Sequence, residues 1–421
     1  MSESRIYRSE NTLIFEGEFL MNHLLRPLVG LHQAVQNAGY RDLVLDFSAC
    51  TAAFAGPMLA LCAQIMRLRQ ARVDVELIWP NDQKLARLFR NANWAHFIEP
   101  RNCPPSEFKG HSQVPATHFT NGDEQQKAVT RIVNAILGAI PDLERKELAA
   151  LEWSINEITD NVLNHAQSPI GGVVQVSTFQ RSRKRIEYIV ADAGLGIPFT
   201  LRSSHLNLTS DAAALEQAIR EGVTRDKNVG QGNGLYGSYQ ICSHSNGFFQ
   251  IESGYGKLMF SEREGLRIGT ERIPYEGTLV AAQIDFSVPR LLEEALKFGG
   301  NSHQPVDYVE LRYEQHDTEN LLFKMADESQ SFGSRVAGAP VRKKLLNLAR
   351  MCPNRKIVLD FENVPLVSSS FADEVVGKLF AELGPLAFMQ RFDFRSIDQT
   401  VRQLVDRAIA QRLAVGGSSE A

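Results

Sequence analysis

Residues 125–288 place their apolar positions in an order that few folds accept: helix period first, strand period afterwards. Val129, Ile132, Val133, Ile136, Leu137 and Ile140 recur at three- and four-residue spacing, which predicts a helix ended by Pro141. A second helix is expected over about 144–166, with Leu148, Leu151, Ile155, Ile158 and Val162 on its buried side. Strands follow: GVVQVSTFQ (172–180) and RIEYIVADAG (185–194). After a long irregular stretch come GFFQIESG (247–254), KLMFSE (257–262) and GTLVAAQIDF (277–286). Helices first and strands later read as α+β, a layered sandwich rather than a doubly wound sheet.

The second helix contains NEITDNVLNH (156–165). Its Glu157, Asn161 and His165 recur every four residues and so share one face. An acid there can orient or deprotonate a water or hydroxyl. The Asn161 oxygen suits one ligand position of a Mg²⁺ that keeps waters and phosphate oxygens around it. The same stripe also fits the wet side of an amphipathic helix. Next, ADAGLGIP (191–198) puts Asp192 at the end of an apolar strand, followed by Gly194 and Gly196. The glycines permit a sharp turn and close backbone approach, and Asp192 can accept a hydrogen bond from an exocyclic amine such as that of adenine. An ordinary strand-to-loop turn uses the same residues. Finally, VGQGNGLYGSYQICS (229–243) runs Gly230, Gly232 and Gly234 into an expected helix, whose free N–H groups would face phosphate. The alternative is a flexible loop. No Gly-Lys-Ser/Thr follows, so it is not a Walker A loop, and no strand leads directly into it, as a dinucleotide fingerprint requires.

Taken in order, these motifs resemble the Bergerat-fold (GHKL, histidine kinase/Hsp90-like) ATP-binding family, which includes gyrase B, Hsp90, sensor histidine kinases, MutL and the anti-sigma-factor serine kinases. E-I-T-D-N at 157–161 is similar to its N-box, D-A-G-L-G-I at 192–197 to its first glycine box, G-Q-G-N-G-L at 230–235 to its second, and G-T at 277–278 to its final element. The resemblance implies ATP and Mg²⁺ as cofactors. It implies Asp192 against adenine, Thr278 beneath it, and Asn161 holding Mg²⁺. Gly194, Gly196 and Ile197 would shape the nucleotide-facing turn, and Gly230, Gly232, Gly234 and Leu235 the hinge of a phosphate lid. The lid would be the stretch from Ile197 to Gly230, with Thr224, Arg225 and Lys227 as phosphate contacts. Glu157 matches the general base of the ATPases and serine kinases, a role for which histidine kinases usually lack an acid. His165 has counterparts in kinases and reads equally as a packing or hydrogen-bonding residue. There is no phosphoacceptor helix of the H-E/D-x-R-x-P kind, and no second domain like that of gyrase B or MutL.

The flanks are different. Residues 1–100 alternate a strand at LVLDF (43–47), a helix at 56–70, a strand at VDVELIWP (73–80) and a helix at 82–92. Residues 101–124, with three prolines and two glycines, read as a linker with a strand near its end. Residues 305–415 echo the first segment: IVLDFENVPLVSSSFADEVVGKLF (357–380) parallels LVLDFSACTAAFAGPMLALCAQIM (43–66). Both flanks are similar to STAS domains, the fold of anti-sigma-factor antagonists, and the C-terminal one to a STAS-like family of unknown function. STAS antagonists carry a phosphorylatable serine just before such a helix, where Ser368, Ser369 and Ser370 stand. Ser370 reads equally as the cap of a helix starting at Phe371. The N-terminal copy has AAFAG there, and without a hydroxyl it can only bind. The tail AVGGSSEA is expected to be disordered.

A net charge of −4 argues against a general nucleic-acid binder, because nothing is in excess to neutralise phosphates. The basic runs RSRKR (181–185) and VRKK (341–344) are short surface runs. Cys50, Cys62, Cys103, Cys242 and Cys352 form no C-x-x-C pair, which suits a reducing cytoplasm. The N-terminus MSESRIYRSE has no apolar signal core, and the longest apolar run, AAFAGPMLALCAQIM, is shorter than a bilayer requires. The expectation is a cytoplasmic, Mg²⁺-dependent, ATP-hydrolysing switch that meets a regulatory protein partner through its STAS-like modules, without nucleic acid or membrane. A homodimer is an alternative assembly. A serine kinase of the anti-sigma-factor type and a non-enzymatic nucleotide-binding scaffold are the alternative functions.

Overall fold

The structure, a computed structural model, describes residues 4–106, 114–179, 185–203, 207–223, 232–286, 295–298, 300–303, 307–314 and 319–416. By compactness the chain divides in two. Described residues of 1–107, 113–129 and 153–304 form one unit, and those of 130–152 and 305–421 the other. The expected break between an N-terminal domain ending near 100 and a central one starting near 125 does not separate compact units.

The first unit opens with a hairpin of β1 (Arg5–Ser9) and β2 (Thr12–Phe19), neither foreseen from the sequence. Helix α1 (Leu25–His32), β3 (Asp42–Asp46), β4 (Cys50–Ala53), α2 (Ala55–Gln70), β5 (Asp74–Ile78), α3 (Gln83–Asn91) and α4 (Trp94–Ile98) follow. Strands β2, β3 and β5 pair in parallel, with β1 antiparallel on the outer edge. Then come β6 (Thr117–Phe119), α5 (Gly122–Ala139) and α6 (Arg145–Asn161), whose residues between 130 and 152 count with the other unit, β7 (Gly172–Phe179), β8 (Arg185–Asp192), α7 (Ile197–Arg202), α8 (Asp211–Ala218), α9 (Gly234–His244), β9 (Phe248–Ser261) and β10 (Gly265–Asp285). The second sheet has the order β6-β7-β8-β10-β9, antiparallel throughout its described strands. A small hairpin of β11 (Lys297–Phe298) and β12 (Asn301–Ser302) closes the unit. The chain is thus mixed α+β.

Two expectations are corrected here. GFFQIESG and KLMFSE are one strand, β9, because Gly254 turns to a positive φ of 56° at a bulge without ending the pairing. The last strand begins at Gly265, twelve residues before Gly277, because β10 keeps pairing with β9 through register shifts between Thr270, Tyr275 and Thr278.

Helix α2 explains why the first unit holds together. Met58 to Ala63 and Ile65 are 0% exposed, so the helix is buried all round, as an evenly apolar helix must be. It packs on β5 of its own sheet and on β7, β8 and β10 of the second, in one buried cluster that joins Leu13, Phe15 and Leu45 with Val173, Ile189, Ala191, Leu279 and Ala281. Helix α2 thus covers one face of the second sheet. Each large side chain so buried contributes about 1.5–3 kcal/mol. Its one polar residue in that stretch, Gln64, is 6% exposed and donates Nε2 to the Glu276 carbonyl at 2.7 Å. Trp94 on α4 donates its indole N–H to Gln175 of β7 at 2.8 Å.

The second unit is built on a parallel sheet of β13 (Leu321–Lys324), β14 (Ile357–Asp360) and β15 (Phe392–Arg395), in that order. Helices at Arg335–Met351 and Gln399–Gly416 lie in sequence around a composite one. That one opens at Ser369–Ala372, passes a π-helical turn at Asp373–Gly377 and ends at Lys378–Leu383. Asn347, fully buried, donates Nδ2 to the carbonyls of Leu137 (2.9 Å) and Ile140 (2.7 Å), satisfying a helix C-terminus. Buried Glu328 is paired with Lys344 at 2.7 Å and Arg312 at 3.3 Å.

The echo between 43–66 and 357–380 extends to backbone detail. Asp46 Oδ1 accepts from Ser48 N–H at 2.8 Å, and Asp360 Oδ1 from Glu362 N–H at 3.0 Å. Phe47 N–H donates to the Ile78 carbonyl and Phe361 N–H to the Arg395 carbonyl, both at 3.0 Å. Both units therefore contain three parallel strands in sequential order with the same turn after the middle one. The cap of the C-terminal helix is Ser368, whose Oγ accepts from Phe371 N–H at 3.0 Å, rather than Ser370. Starting the helix two residues early leaves Ser369 and Ser370 exposed in its first turn. Of the tail expected to be disordered, residues up to Gly416 are helical and 417–421 lie outside the described residues.

Candidate functional site

A cavity of about 360 Å³ opens between α6, the turn after β8, the start of α9 and the end of β10. Glu157, Asn161, His165, Asp192, Gly196, Ile197, Gly232, Gly234, Leu235 and Thr278 all line it. Residues separated by up to 121 positions in sequence therefore meet in one place. Gly230, Thr224, Arg225 and Lys227 lie outside the described residues.

The polar face of α6 supplies one wall. Beyond Asn161 the helix widens into a π-helical turn, Val162–Ala166, and ends at Gln167 with φ 47°. Such turns recur at functional sites because they redirect side chains without ending the helix. The opposite wall is the β8 turn. Gly194 must be glycine, since a Cβ would lie 2.1 Å from the Ala166 carbonyl oxygen. Gly196 has φ 79°, which favours glycine. Leu195 N–H donates to the same Ala166 carbonyl at 2.7 Å. Ser253, fully buried, ties the turn to the sheet: its Oγ donates to the Gly277 carbonyl (2.7 Å), accepts from Ile197 N–H (2.9 Å) and lies 3.0 Å from Thr278 Oγ1.

Asp192 is 2% exposed. Its Oδ1 accepts from Gly194 N–H at 2.7 Å. Burial pushes its carboxyl up to about 7, against the opposing pull of the Gly194 and Thr278 backbone donors. Glu157 is half-buried, and burial, then the charge of Asp160, raises its pKa. Its carboxylate lies against the start of α9, where a Cβ on Gly234 would come 2.5 Å from Oε2. A buried chain from Tyr188 Oη to Ser154 Oγ (2.5 Å), Ser238 Oγ (2.7 Å) and the Gly234 carbonyl (2.8 Å) fixes that helix start.

Among the described residues no group of three or more His, Cys, Asp or Glu side chains is placed to hold a metal ion unaided. The oxygen donors that line the cavity, Asn161 with Glu157 and Asp160, suit a hard cation that draws its remaining ligands from phosphate and water. The described residues of the stretch expected to be a lid contain two helices, α7 and α8. Asp211 at the start of α8 pairs with Arg202 at 2.5 Å and accepts from Tyr255 N–H at 2.7 Å.

Sequence reasoning missed Trp153, Val190, Thr200, Val280, Phe298 and His303 in the lining. Trp153 was findable, since it stands four residues before Glu157 on the same helical stripe. Ser369 and Ser370 belong to the other unit.

Residues 337–402 match the family described as STAS-like domain of unknown function (DUF4325). Among solved structures, the chain is similar to the histidine kinase domain of a blue-light activated histidine kinase from Erythrobacter litoralis EL346. The identity is 14%, over 55% of this chain and 97% of that one, with a TM-score of 0.20, too loose a superposition to bear on the fold. None of the curated proteins matches. Among the described residues no helix is long and apolar enough to cross a membrane.

Proposed function

We propose that this chain binds ATP in the cavity beside α6, in a pocket of the Bergerat type, and works as a nucleotide-dependent regulatory switch whose STAS-like modules contact a protein partner. The observation that carries the reading is the convergence of a buried carboxylate, Asp192, and an acid–amide pair one helical turn apart, Glu157 and Asn161, on one cavity. Asp192, opposite Thr278, would accept the adenine amine. Asn161 would help hold Mg²⁺, which when bound supplies charge neutralisation for the phosphates. Asn233, Gly234 and Leu235 at the start of α9 line the same cavity, and the free N–H groups of a helix start would suit the phosphates.

Glu157 would take the proton of the attacking water. Its raised pKa suits that role, because a general base works best when its pKa approaches the working pH. Phosphoryl transfer asks mostly for positioning and charge neutralisation. A second reading, transfer to a serine, is favoured by one observation: Ser369 and Ser370 are exposed while Ser368 is occupied as the helix cap.

Incubation with γ-labelled ATP and Mg²⁺ separates the readings. Release of free phosphate supports the hydrolytic switch. Label on protein that disappears in Ser369→Ala or Ser370→Ala supports the kinase. Retention of intact ATP leaves a nucleotide-binding scaffold, and no association with label refutes all three.

A further inference from the structure

Resting on the nucleotide reading, we propose that His303 is a specificity-determining residue for the terminal phosphate, carried into the far end of the cavity by the β11–β12 hairpin. The cavity has a direction. Asp192 lies at the end where the β8 turn touches Ala166, since Leu195 N–H bonds the Ala166 carbonyl at 2.7 Å. Glu157 lies against Gly234 at the start of α9. Trp153 stands one further turn back along α6, about 6 Å by helical rise, and there the lining ends on Phe298 and His303. A nucleotide with its amine on Asp192 extends its phosphates past Asn161 and Glu157 toward that corner.

The hairpin is seated by packing. Phe298 lies 6.1 Å from both Trp153 and Tyr236, ring centre to ring centre. A Cβ on Gly237 would come 2.4 Å from Trp153 Cη2 and 3.1 Å from Phe298 Cζ, so glycine is what lets the rings approach α9. The imidazole of His303 rests 6.0 Å from Trp153 and 5.9 Å from Phe298, and the backbone N–H of His303 donates to the Leu296 carbonyl at 2.8 Å. The side chain is otherwise exposed, which leaves a ring nitrogen available to a ligand.

Charge singles out this residue. Glu157, Asp160 and Asp192 make the lining acidic, which opposes a polyphosphate. Among the described lining residues, the groups able to carry positive charge are His165 and His303. His165 stands two turns past Glu157, toward the Asp192 end, so His303 is the one beside the terminal phosphate. An imidazole donates to a phosphate oxygen whether neutral or charged.

Calorimetry with ADP and with an ATP analogue whose β–γ bridge cannot be cleaved tests this on the full chain. In His303→Ala the analogue should weaken roughly tenfold or more, the loss of a charged-group hydrogen bond, while ADP changes less than about twofold. His303→Lys should restore much of the preference for the triphosphate. Equal weakening of both ligands, an unchanged or tightened analogue, or a lysine variant as poor as the alanine one overturns the assignment. If the unmodified chain binds neither ligand, the nucleotide reading itself falls; if it binds both and His303→Ala leaves the analogue unchanged, only the role of His303 falls.

Discussion

Replacing Asp192 by Asn should make the empty protein more tolerant of alkaline conditions, and the size of the effect follows from one buried carboxyl. Its pKa is about 7 in the folded chain, against a reference value of 3.8. Between those values the folded protein holds a proton that the unfolded chain has released, so wild-type stability falls as pH rises. The slope is about 1.4 kcal/mol per pH unit, and from pH 5 to pH 8 the fall attributable to this group is about 3 kcal/mol. An asparagine cannot titrate. Stability of Asp192→Asn minus that of wild type should therefore climb by about 3 kcal/mol over that interval and level off above pH 7. A constant offset is expected as well: Asp192 accepts from the backbone of both Gly194 and Thr278, and an amide offers only one oxygen. Only the slope is diagnostic, which also cancels other titrating groups such as Glu187, raised by burial to about 7. Urea unfolding of both proteins at pH 5, 6.5 and 8 reads it directly. A pH-independent difference would refute the claim that burial makes this carboxyl hold its proton up to about pH 7. The same variant should lose affinity for ATP and spare GTP; calorimetry showing an unaltered preference would count against the adenine contact.

Glu157→Ala should bind nucleotide and lose turnover, measured as phosphate release; equal turnover would refute its role as base. Gly234→Ala drives a methyl to within 2.5 Å of the Glu157 carboxylate, so it should cut turnover more than it lowers the melting temperature, and a variant active as wild type would refute the contact. Gln64→Leu strands the Glu276 carbonyl and should cost about 1–3 kcal/mol in denaturant unfolding. Ser368→Ala removes a helix cap and should cost about 1 kcal/mol, whereas Ser370→Ala should cost nearly nothing; the reverse order would restore Ser370 as the cap.

The parts of this fold that were legible in the sequence are those written in local period. The two long helices, β7, β8 and the strand-to-helix echo of the flanks each follow from spacing within a dozen residues. The hidden parts depend on partners distant in sequence. The run AAFAGPMLALCAQIM announced a helix with no wet side, yet nothing local says that its second face meets β8 and β10. Gly254 looks like the end of a strand and is a bulge, because a neighbouring strand keeps the pairing intact. In the site, Glu157, Asn161 and Asp192 were readable because each belongs to a motif with its own geometry. Phe298 and His303 were not, since a short hairpin beyond the last long strand carries no period, and only packing on Trp153 and Gly237 brings it to the cavity. Ser253 is silent for the same reason: its three partners come from two other segments, Ile197 at the start of α7 and Gly277 and Thr278 on β10.

The most direct test is titration of the purified, folded chain with ATP and Mg²⁺ in a calorimeter. Saturable binding below millimolar concentration, lost or weakened when Asp192 is replaced, is the expected result. A folded protein that gives no binding heat with either ATP or ADP at millimolar concentration, and no shift in melting temperature, would contradict the account at its root.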